Sequence, residues 1–134
     1  MILDQFKLEG KVALVTGASA GLGQAIAIAL ADAGADIVCH GNTRTPEVTV
    51  QAISRLGRQA FAAAGDLAEK ETPSFLIEAT ISKFGQIDIL INNAATIRRA
   101  PAADYAEEDW NTVIEVNLSA VFRLSQLAGR RMLE

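Results

Sequence analysis

Short apolar runs alternate along the chain with longer segments of helical composition. Residues 11–16 form a short apolar run that stops at a glycine, which predicts a buried strand, and residues 22–33 predict a helix that stops at Gly34. The pattern then repeats three times. Further strands are predicted over residues 35–40, 59–64 and 87–91, and further helices over residues 46–56, 69–84 and 107–133, the first of these with Thr45 as its N-cap and Pro46 at its first position.

Four strand–helix units in succession predict an α/β fold. The strands are continuous apolar runs rather than alternating ones, which is typical of a parallel sheet covered by helices on both faces. We therefore expect a doubly wound, Rossmann-type parallel sheet of about four strands and four helices. In such a sheet a ligand binds at the carboxyl ends of the strands, where the strand order reverses.

Composition narrows the class of protein. Half of the 134 residues are hydrophobic and 21% are charged, which excludes a disordered chain, and a net charge of −4 argues against nucleic acid as a partner. Cys39 and His40 are the only cysteine and histidine, so a disulfide scaffold and a Cys/His metal site are excluded, and both are interpreted as packing residues. No apolar segment suits a signal peptide or a membrane span, so a cytoplasmic protein without a membrane partner is expected.

The first predicted strand leads into a glycine-rich segment, residues 16–23, with the sequence TGASAGLG. Gly17 permits a tight turn out of the strand, and Gly21 and Gly23 let the backbone approach a ligand and the helix pack on the sheet. The helix that follows presents free N–H groups and a partial positive charge, which favour a phosphate, and Ser19 can add a hydroxyl donor. An ordinary turn between a strand and a helix is the alternative interpretation.

Polar residues follow the third and fourth predicted strands at the same edge of the sheet. Asp66 can accept a hydrogen bond from an adenine amino group, or it can cap the third helix. Asn92 and Asn93 face the glycine-rich segment, although asparagines are also common turn residues. Arg98 and Arg99 suit an anionic substrate through their bidentate guanidinium groups, or they are two solvated loop charges.

Asn117 interrupts an apolar stripe on the last predicted helix. Helical spacing places it on one face with four apolar residues, namely Trp110, Val113, Ile114 and Val121. A buried amide needs hydrogen-bond partners. Asn117 is therefore expected to tie the helix to the sheet as a core asparagine, to have a catalytic role, or both.

Four motifs in this order resemble those of the short-chain dehydrogenase/reductase family. Residues 16–23 match its T-G-x-x-x-G-x-G pattern, and Asp66-Leu67 matches its aspartate after the third strand. Residues 92–95 (NNAA) resemble its N-N-A-G, with Ala95 in place of the glycine, and Asn117 resembles the asparagine of its catalytic helix. The resemblance implies a catalytic role for Asn117 and ten cofactor contacts: Thr16, Gly17, Ser19, Gly21, Leu22, Gly23, Asp66, Leu67, Asn93 and Ala94.

The resemblance also implies an oxidoreductase that transfers hydride between a nicotinamide cofactor and a hydroxyl or ketone group. Residues 1–6 and the loop Ile97-Arg98-Arg99 are similar to family members that act on sugar acids, so an anionic sugar acid is the expected substrate, with Arg98 as its contact. NAD is the expected cofactor. NADP is not excluded, because residues 40–44 (HGNTR) contain no carboxylate for a ribose hydroxyl and Arg44 is either a 2′-phosphate contact or a solvated residue.

The family's catalytic pair, Tyr-x-x-x-Lys, has no counterpart in this sequence. Tyr105 is the only tyrosine, and Asp109 rather than lysine stands four residues later. We therefore expect residues 1–134 to be an incomplete dinucleotide-binding domain that lacks the family's carboxy-terminal strands and is inactive by itself. A non-catalytic dinucleotide-binding module and an inactive remnant are the alternatives.

The last predicted helix is expected to form an interface between subunits. It carries a series of apolar residues, and in the family that the chain resembles this helix packs between subunits. The fourth strand would also have no neighbour on one side, and an unpaired strand edge favours association. A homo-oligomer formed through the last helix is therefore expected.

Overall fold

Four parallel strands form the centre of the computed structural model, which describes residues 1–134. They are β1 (Val12–Val15), β2 (Asp36–Gly41), β3 (Ala60–Ala64) and β4 (Ile89–Ile91), in the spatial order β3-β2-β1-β4. Every neighbouring pair is parallel. The predicted α/β class with a Rossmann-type parallel sheet is confirmed, and β4 lies at an edge of the sheet, as expected.

Helices connect the strands and cover both faces of the sheet. The α-helices are α1 (Gly21–Asp32), α2 (Glu47–Arg55), α3 (Thr72–Phe84), α4 (Glu107–Ile114) and α5 (Ala120–Met132). Short 3-10 turns occupy Ile2–Phe6 and Ala102–Asp104, and a π-helical turn, Glu115–Ser119, joins α4 to α5. None of these helices combines the length and the apolar character that crossing a membrane requires.

The sheet separates two hydrophobic clusters because successive strand residues point to opposite faces. On β1, Ala13 and Val15 belong to the cluster beneath α1 and α2, whereas Leu14 belongs to the cluster beneath α3 and α5. Both clusters are rich in alanine, which lets the helices lie close to the strands. β1 is fully buried and β2 is buried from Ile37 onwards, which explains the continuous apolar runs seen in the sequence.

Two predicted helix starts are wrong. Thr45 does not cap the second helix: Pro46 is the N-cap residue, α2 begins at Glu47, and no side chain caps it. The third helix begins at Thr72 instead of residue 69, because residues 66–72 form successive turns closed by bonds from Glu69 N to Asp66 O at 3.0 Å and from Thr72 N to Glu69 O at 3.2 Å.

The last helix is not the single regular helix that the sequence predicts. At the π-helical turn, Ala120 N–H donates to Glu115 O, which adds one residue to the turn. The predicted apolar stripe is also wrong, since Trp110 is 59% exposed and Asn117 is exposed. The residues that reach the core lie at a different phase, at Val116, Ala120, Leu124 and Ala128.

Candidate functional site

The strand order reverses between β1 and β4, which opens a crevice at the carboxyl ends of these two strands. The glycine-rich segment, residues 16–23, follows β1 on one side of the crevice. Residues 92–96 follow β4 on the other side. Both segments are therefore at the point where an open α/β sheet binds a ligand.

Thr16 joins the two sides of the crevice and is almost fully buried, at 1% exposure. Its Oγ1 accepts hydrogen bonds from the backbone N–H groups of Asn93 at 3.1 Å and Ala94 at 3.0 Å, and donates to Ile91 O at 3.3 Å. In return, Asn93 Nδ2 donates to the carbonyl oxygens of Thr16 and Gly17, both at 3.1 Å. The two segments consequently form one hydrogen-bonded unit.

Glycine is required at two positions of this unit. Gly17 has φ +63°, a left-handed conformation that suits the tight turn out of β1. At Gly23 an added Cβ would lie 2.1 Å from Gly17 O and 2.4 Å from Asn93 Nδ2. Because no atom can approach that closely, only glycine lets α1 pack against the turn.

The N-terminus of α1 leaves backbone donors without partners. Its N-cap residue, Ala20, has no side chain that can accept a hydrogen bond. The N–H groups of Gly21, Leu22 and Gly23 therefore have no acceptor within the chain. Together with the helix dipole, these donors make the end of α1 a suitable place for a phosphate group. The side chain of Leu22 is 70% exposed at the same end.

The hydroxyl of Ser19 does not have its expected role as an additional hydrogen-bond donor to a phosphate. Its hydroxyl donates to Arg44 O at 2.5 Å and so ties the glycine-rich segment to the loop between β2 and α2. Gly41 makes room for this contact, since an added Cβ there would lie 2.3 Å from Ser19 Oγ. The single hydroxyl proton of Ser19 is therefore used in a hydrogen bond within the protein and is not free for a ligand.

Two adjoining cavities extend from the glycine-rich segment. The larger, about 400 Å³, lies between this segment and residues 40–44. The smaller, about 200 Å³, is lined by Asp66, Leu67, Thr112 and Val116 among others. His40, Asn42, Ala94 and Ala95 line both cavities, so the two form one elongated crevice.

Asp66 and Leu67 form part of the smaller cavity at the end of β3. Leu67 is buried and supplies an apolar wall. Asp66 Oδ1 accepts from Ala68 N at 2.9 Å, while its other carboxylate oxygen has no hydrogen bond within the chain. The interpretation of Asp66 as the cap of the third helix is wrong, because α3 begins at Thr72 and Glu71 is its N-cap residue.

His40 was interpreted as a packing residue, and the structure gives it further contacts. Its Nδ1 accepts the N–H of Gly17 at 3.1 Å, and its Nε2 lies 2.8 Å from Gly65 O. Burial lowers the pKa of His40, although the Gly65 carbonyl and the Asp66 charge act in the opposite direction. The sequence signal for this role was the position of the only histidine, at the carboxyl end of a strand.

Cys39 is a packing residue, as the sequence analysis proposed. Its side chain is fully buried in the cluster beneath α1 and α2. Burial raises the pKa of the Cys39 thiol to about 12, and the nearby charge of Glu47 contributes to the rise. The thiol therefore stays protonated and unreactive at neutral pH.

Asn117 holds the segment that follows β4. Its Oδ1 accepts from Thr96 N at 2.8 Å, and its Nδ2 donates to Thr96 O at 2.9 Å. The amide thus pairs with both the N–H and the carbonyl group of Thr96, as a neighbouring strand would. This pair of bonds ties the exposed side of the π-helical turn to the crevice. Asn117 thus connects the last helix to a loop, and its interpretation as a core asparagine is wrong because the residue is exposed.

Arg98 also lines the smaller cavity. Its Nη1 donates to Thr96 Oγ1 at 2.6 Å and to Ile97 O at 3.1 Å, and its Nε lies 3.8 Å from Asp109 Oδ1. Asp109 therefore offsets part of its charge. Tyr105 is also committed to this loop, since its hydroxyl donates to Arg98 O at 3.1 Å.

Comparison with known proteins finds relatives over almost the whole chain. The family model described as short chain dehydrogenase matches residues 11–134. The chain is 40% identical over 134 residues to a 2-dehydro-3-deoxy-D-gluconate 5-dehydrogenase of Dickeya dadantii (strain 3937), which covers 100% of the chain and 53% of that protein. It is 45% identical over 131 residues to the enzyme of the same name from Bacillus subtilis (strain 168), covering 98% and 51%.

One solved structure is similar to this chain in both fold and sequence. A short chain dehydrogenase from Burkholderia cenocepacia J2315, determined in complex with NADP, has a TM-score of 0.90 and 37% identity, and the match covers 94% of this chain and 52% of that one. The chain thus spans about half the length of the relatives that it matches.

Replacing Thr16 by valine is expected to destabilise the fold. The variant leaves the N–H of Ala94 without its acceptor and leaves the N–H of Asn93 with only Ile91 O, at 3.1 Å, so the free energy of unfolding should fall by about 1–3 kcal/mol. Urea unfolding followed by circular dichroism measures the change. Thr16→Ser keeps the hydroxyl and is the matched control. An equal loss in both variants would show that the methyl group, and not the hydroxyl, stabilises the junction.

Proposed function

The chain belongs to the short chain dehydrogenase family, and from this premise we propose that residues 1–134 are the dinucleotide-binding domain of an NAD(P)-dependent oxidoreductase. The observation that carries the proposal is the set of unpartnered N–H groups on Gly21, Leu22 and Gly23 at the N-terminus of α1, next to the crevice whose two sides Thr16 and Asn93 join. A dinucleotide has a diphosphate at its centre, and these donors suit its charge and its geometry.

The residues that line the crevice fit the two ends of such a cofactor. We propose that the apolar wall of Leu67 and the free carboxylate oxygen of Asp66 hold the adenine, the carboxylate accepting from the exocyclic amino group. The larger cavity beside residues 40–44 has room for the adenosine ribose. The other proposed cofactor contacts are Thr16, Gly17, Gly21, Leu22, Gly23, Asn93 and Ala94. Ser19 borders the larger cavity, but its hydroxyl proton is donated to Arg44 O, so it is not proposed as a phosphate donor.

When bound, the nicotinamide accepts or donates the hydride. This chain's own contribution is to orient the cofactor and to hold the loop after β4 against it. We propose Asn117 as the catalytic residue within the chain. Its amide keeps one N–H and one lone pair beyond its two bonds to Thr96, and these can hold a water in a proton relay.

An anionic sugar acid is the proposed substrate. The Dickeya and Bacillus relatives are 2-dehydro-3-deoxy-D-gluconate 5-dehydrogenases, and their names support this class. Arg98 and Arg99 follow the asparagine pair and supply positive charge in an otherwise acidic protein. Arg98 has Asp109 as a partner, whereas Arg99 is exposed and has no acidic partner, so Arg99 contributes the less compensated charge.

NAD is the proposed cofactor, with NADP as the alternative. Residues 40–44 contain no carboxylate that would repel a 2′-phosphate, and Arg44 borders the larger cavity. The Burkholderia relative, which was determined with NADP, supports the alternative. Binding of both cofactors therefore has to be measured.

A non-catalytic dinucleotide-binding module is the second candidate function. The same crevice supports it, and Tyr105, the only tyrosine, donates its hydroxyl to Arg98 O and has Asp109 four residues after it. Residues 1–134 thus contain no Tyr-x-x-x-Lys pair. An inactive remnant is the third candidate, and cofactor binding separates it from the other two.

Gly23→Ala is expected to weaken NAD binding by at least about tenfold, because the new Cβ would overlap Gly17 O and force the glycine-rich segment to move. Isothermal titration calorimetry with NAD and with NADP measures the affinities of the chain and of the variant. Gly129→Ala is the matched control, since an added Cβ on α5 meets no atom within 4 Å. A chain that keeps its circular dichroism spectrum and binds neither cofactor would refute the proposal.

The 134-residue chain is expected to bind its cofactor without turnover. The sample is mixed with NAD and a sugar acid, and the absorbance of NADH is followed after calorimetry has shown that the cofactor is bound. No change is expected because no acid–base pair is present to move the proton. Steady production of NADH would contradict the proposed need for Tyr-x-x-x-Lys.

A homo-oligomer through the last helix is the proposed assembly. Leu118 and Phe122 are 62% and 63% exposed and lie one helical turn apart. We expect size-exclusion chromatography with light scattering to report a mass above 14.2 kDa, and Phe122→Ser to lower it. Phe75→Ser on α3, which is 51% exposed, is the matched control and should leave the mass unchanged. A monomeric wild-type chain would overturn this assembly.

A further inference from the structure

His40 connects three parts of the crevice with one imidazole ring. It is the penultimate residue of β2, accepts from Gly17 N at 3.1 Å in the glycine-rich segment, and contacts Gly65 O at 2.8 Å beyond β3. It also lines both cavities, although only 2% of its surface is exposed. No other side chain of the chain contacts the backbone N–H of Gly17.

We infer that His40 is a positioning residue that holds the glycine-rich segment in its cofactor-binding shape, and that it does so only as a neutral imidazole with its proton on Nε2. The inference rests on the proposed function, because it assigns a support and a pH dependence to the same crevice. It gives the histidine a role beyond the packing role that the sequence predicts.

The two partners fix the tautomer. The backbone N–H of Gly17 can only donate, so Nδ1 must carry a lone pair. The carbonyl oxygen of Gly65 can only accept, so Nε2 must carry a proton. A second proton would go to Nδ1 and would set two donors face to face. The bond to Gly17 would then break at the point where the turn leaves β1.

The surroundings favour the neutral ring. The neighbouring strands β1 and β3 contain no titratable residues, and the ring is buried between them. Three charged side chains line the cavities that His40 lines: Asp66 after β3, Arg44 in the loop after β2, and Arg98 in the loop after β4. Glu47 on α2 acts on the neighbouring Cys39, on the other face of β2. Burial lowers the pKa of His40, and Asp66 only partly opposes this effect.

The sign of the pH dependence follows from this shift. Because the pKa of His40 is lower in the folded chain than the unfolded value of about 6.5, the unfolded chain takes up the proton first as the pH falls. The stability that the neutral ring contributes is complete above the unfolded pKa and is lost as the pH falls towards the folded one. Cofactor affinity should decrease below that folded pKa, where the ring becomes charged and releases Gly17.

Two substitutions separate the two hydrogen bonds. In His40→Asn the amide oxygen takes the place of Nδ1 and accepts from Gly17 at any pH, while the contact with Gly65 is lost. In His40→Gln the amide nitrogen takes the place of Nε2 and donates to Gly65, while Gly17 loses its acceptor. Only the asparagine variant should therefore keep the cofactor-binding shape.

The test measures the NAD dissociation constant of the chain between about pH 8 and about pH 5 by calorimetry. The wild-type affinity is expected to fall once the pH drops below the folded pKa of His40, and that of His40→Asn to stay within about twofold over the same range. His40→Gln should bind about tenfold more weakly than the wild type at pH 8, with no further fall. Circular dichroism shows whether each variant is folded.

Nitrogen NMR of the imidazole is the second measurement and needs neither a variant nor a cofactor. His40 is the only histidine, so its two ring nitrogens are assigned without ambiguity. A neutral ring protonated on Nε2 at pH 7 is expected. A ring protonated on Nδ1, or a charged ring at pH 7, would overturn the inference.

The remaining outcomes distinguish this inference from the proposed function. If the wild type binds NAD and His40→Asn loses affinity in parallel as the pH falls, the role of His40 is refuted and the proposed function stands. If the folded wild type binds neither NAD nor NADP at any pH, the proposed function is refuted, and the role of His40 in binding is refuted with it.

Discussion

The hydrogen bonding of Thr16 to residues 91–94 is the constraint on which the crevice depends. It fixes the end of β1 against the end of β4, where the strand order reverses and no further strand lies between them. Once this junction is made, Asn93 reaches the carbonyl oxygens of the turn, and Gly23 packs beneath it. The N-terminus of α1, with its unpartnered N–H groups, is therefore placed relative to β4 with little freedom.

The fold was predictable from the sequence because burial on both faces leaves continuous apolar runs, and residues 11–16 and 35–40 are such runs. Helix starts were less predictable. The start of α3 depends on Thr72, whose hydroxyl donates to Asp66 O at 2.5 Å and which is buried beside the turn. Helix propensities are assigned residue by residue, so they do not predict a side-chain contact of this kind. The π-helical turn depends likewise on contacts on two sides of one helix.

The candidate site likewise has features that the sequence predicts and features that it does not. The backbone roles of Gly17 and Gly23 could be predicted, because the need for glycine follows from the turn and the helix that flank it. The contacts of side chains could not. Ser19 was expected to face a phosphate and instead donates to Arg44 O, and His40 was expected to pack and instead accepts from Gly17. Both partners lie more than twenty residues away in the sequence, beyond the reach of any local pattern.

The π-helical turn between α4 and α5 sets the angle around the helix axis between two groups of side chains, one in the core and one at the loop after β4. Each residue of an α-helix advances the direction of its side chain by about 100°. The additional residue at Glu115–Ser119 therefore lets α5 direct its alanines and Leu124 into the core while Asn117 points to the loop after β4. The turn thus fixes the angle between the core-facing side of α5 and the amide of Asn117, so that one continuous helix both packs in the core and holds the loop after β4.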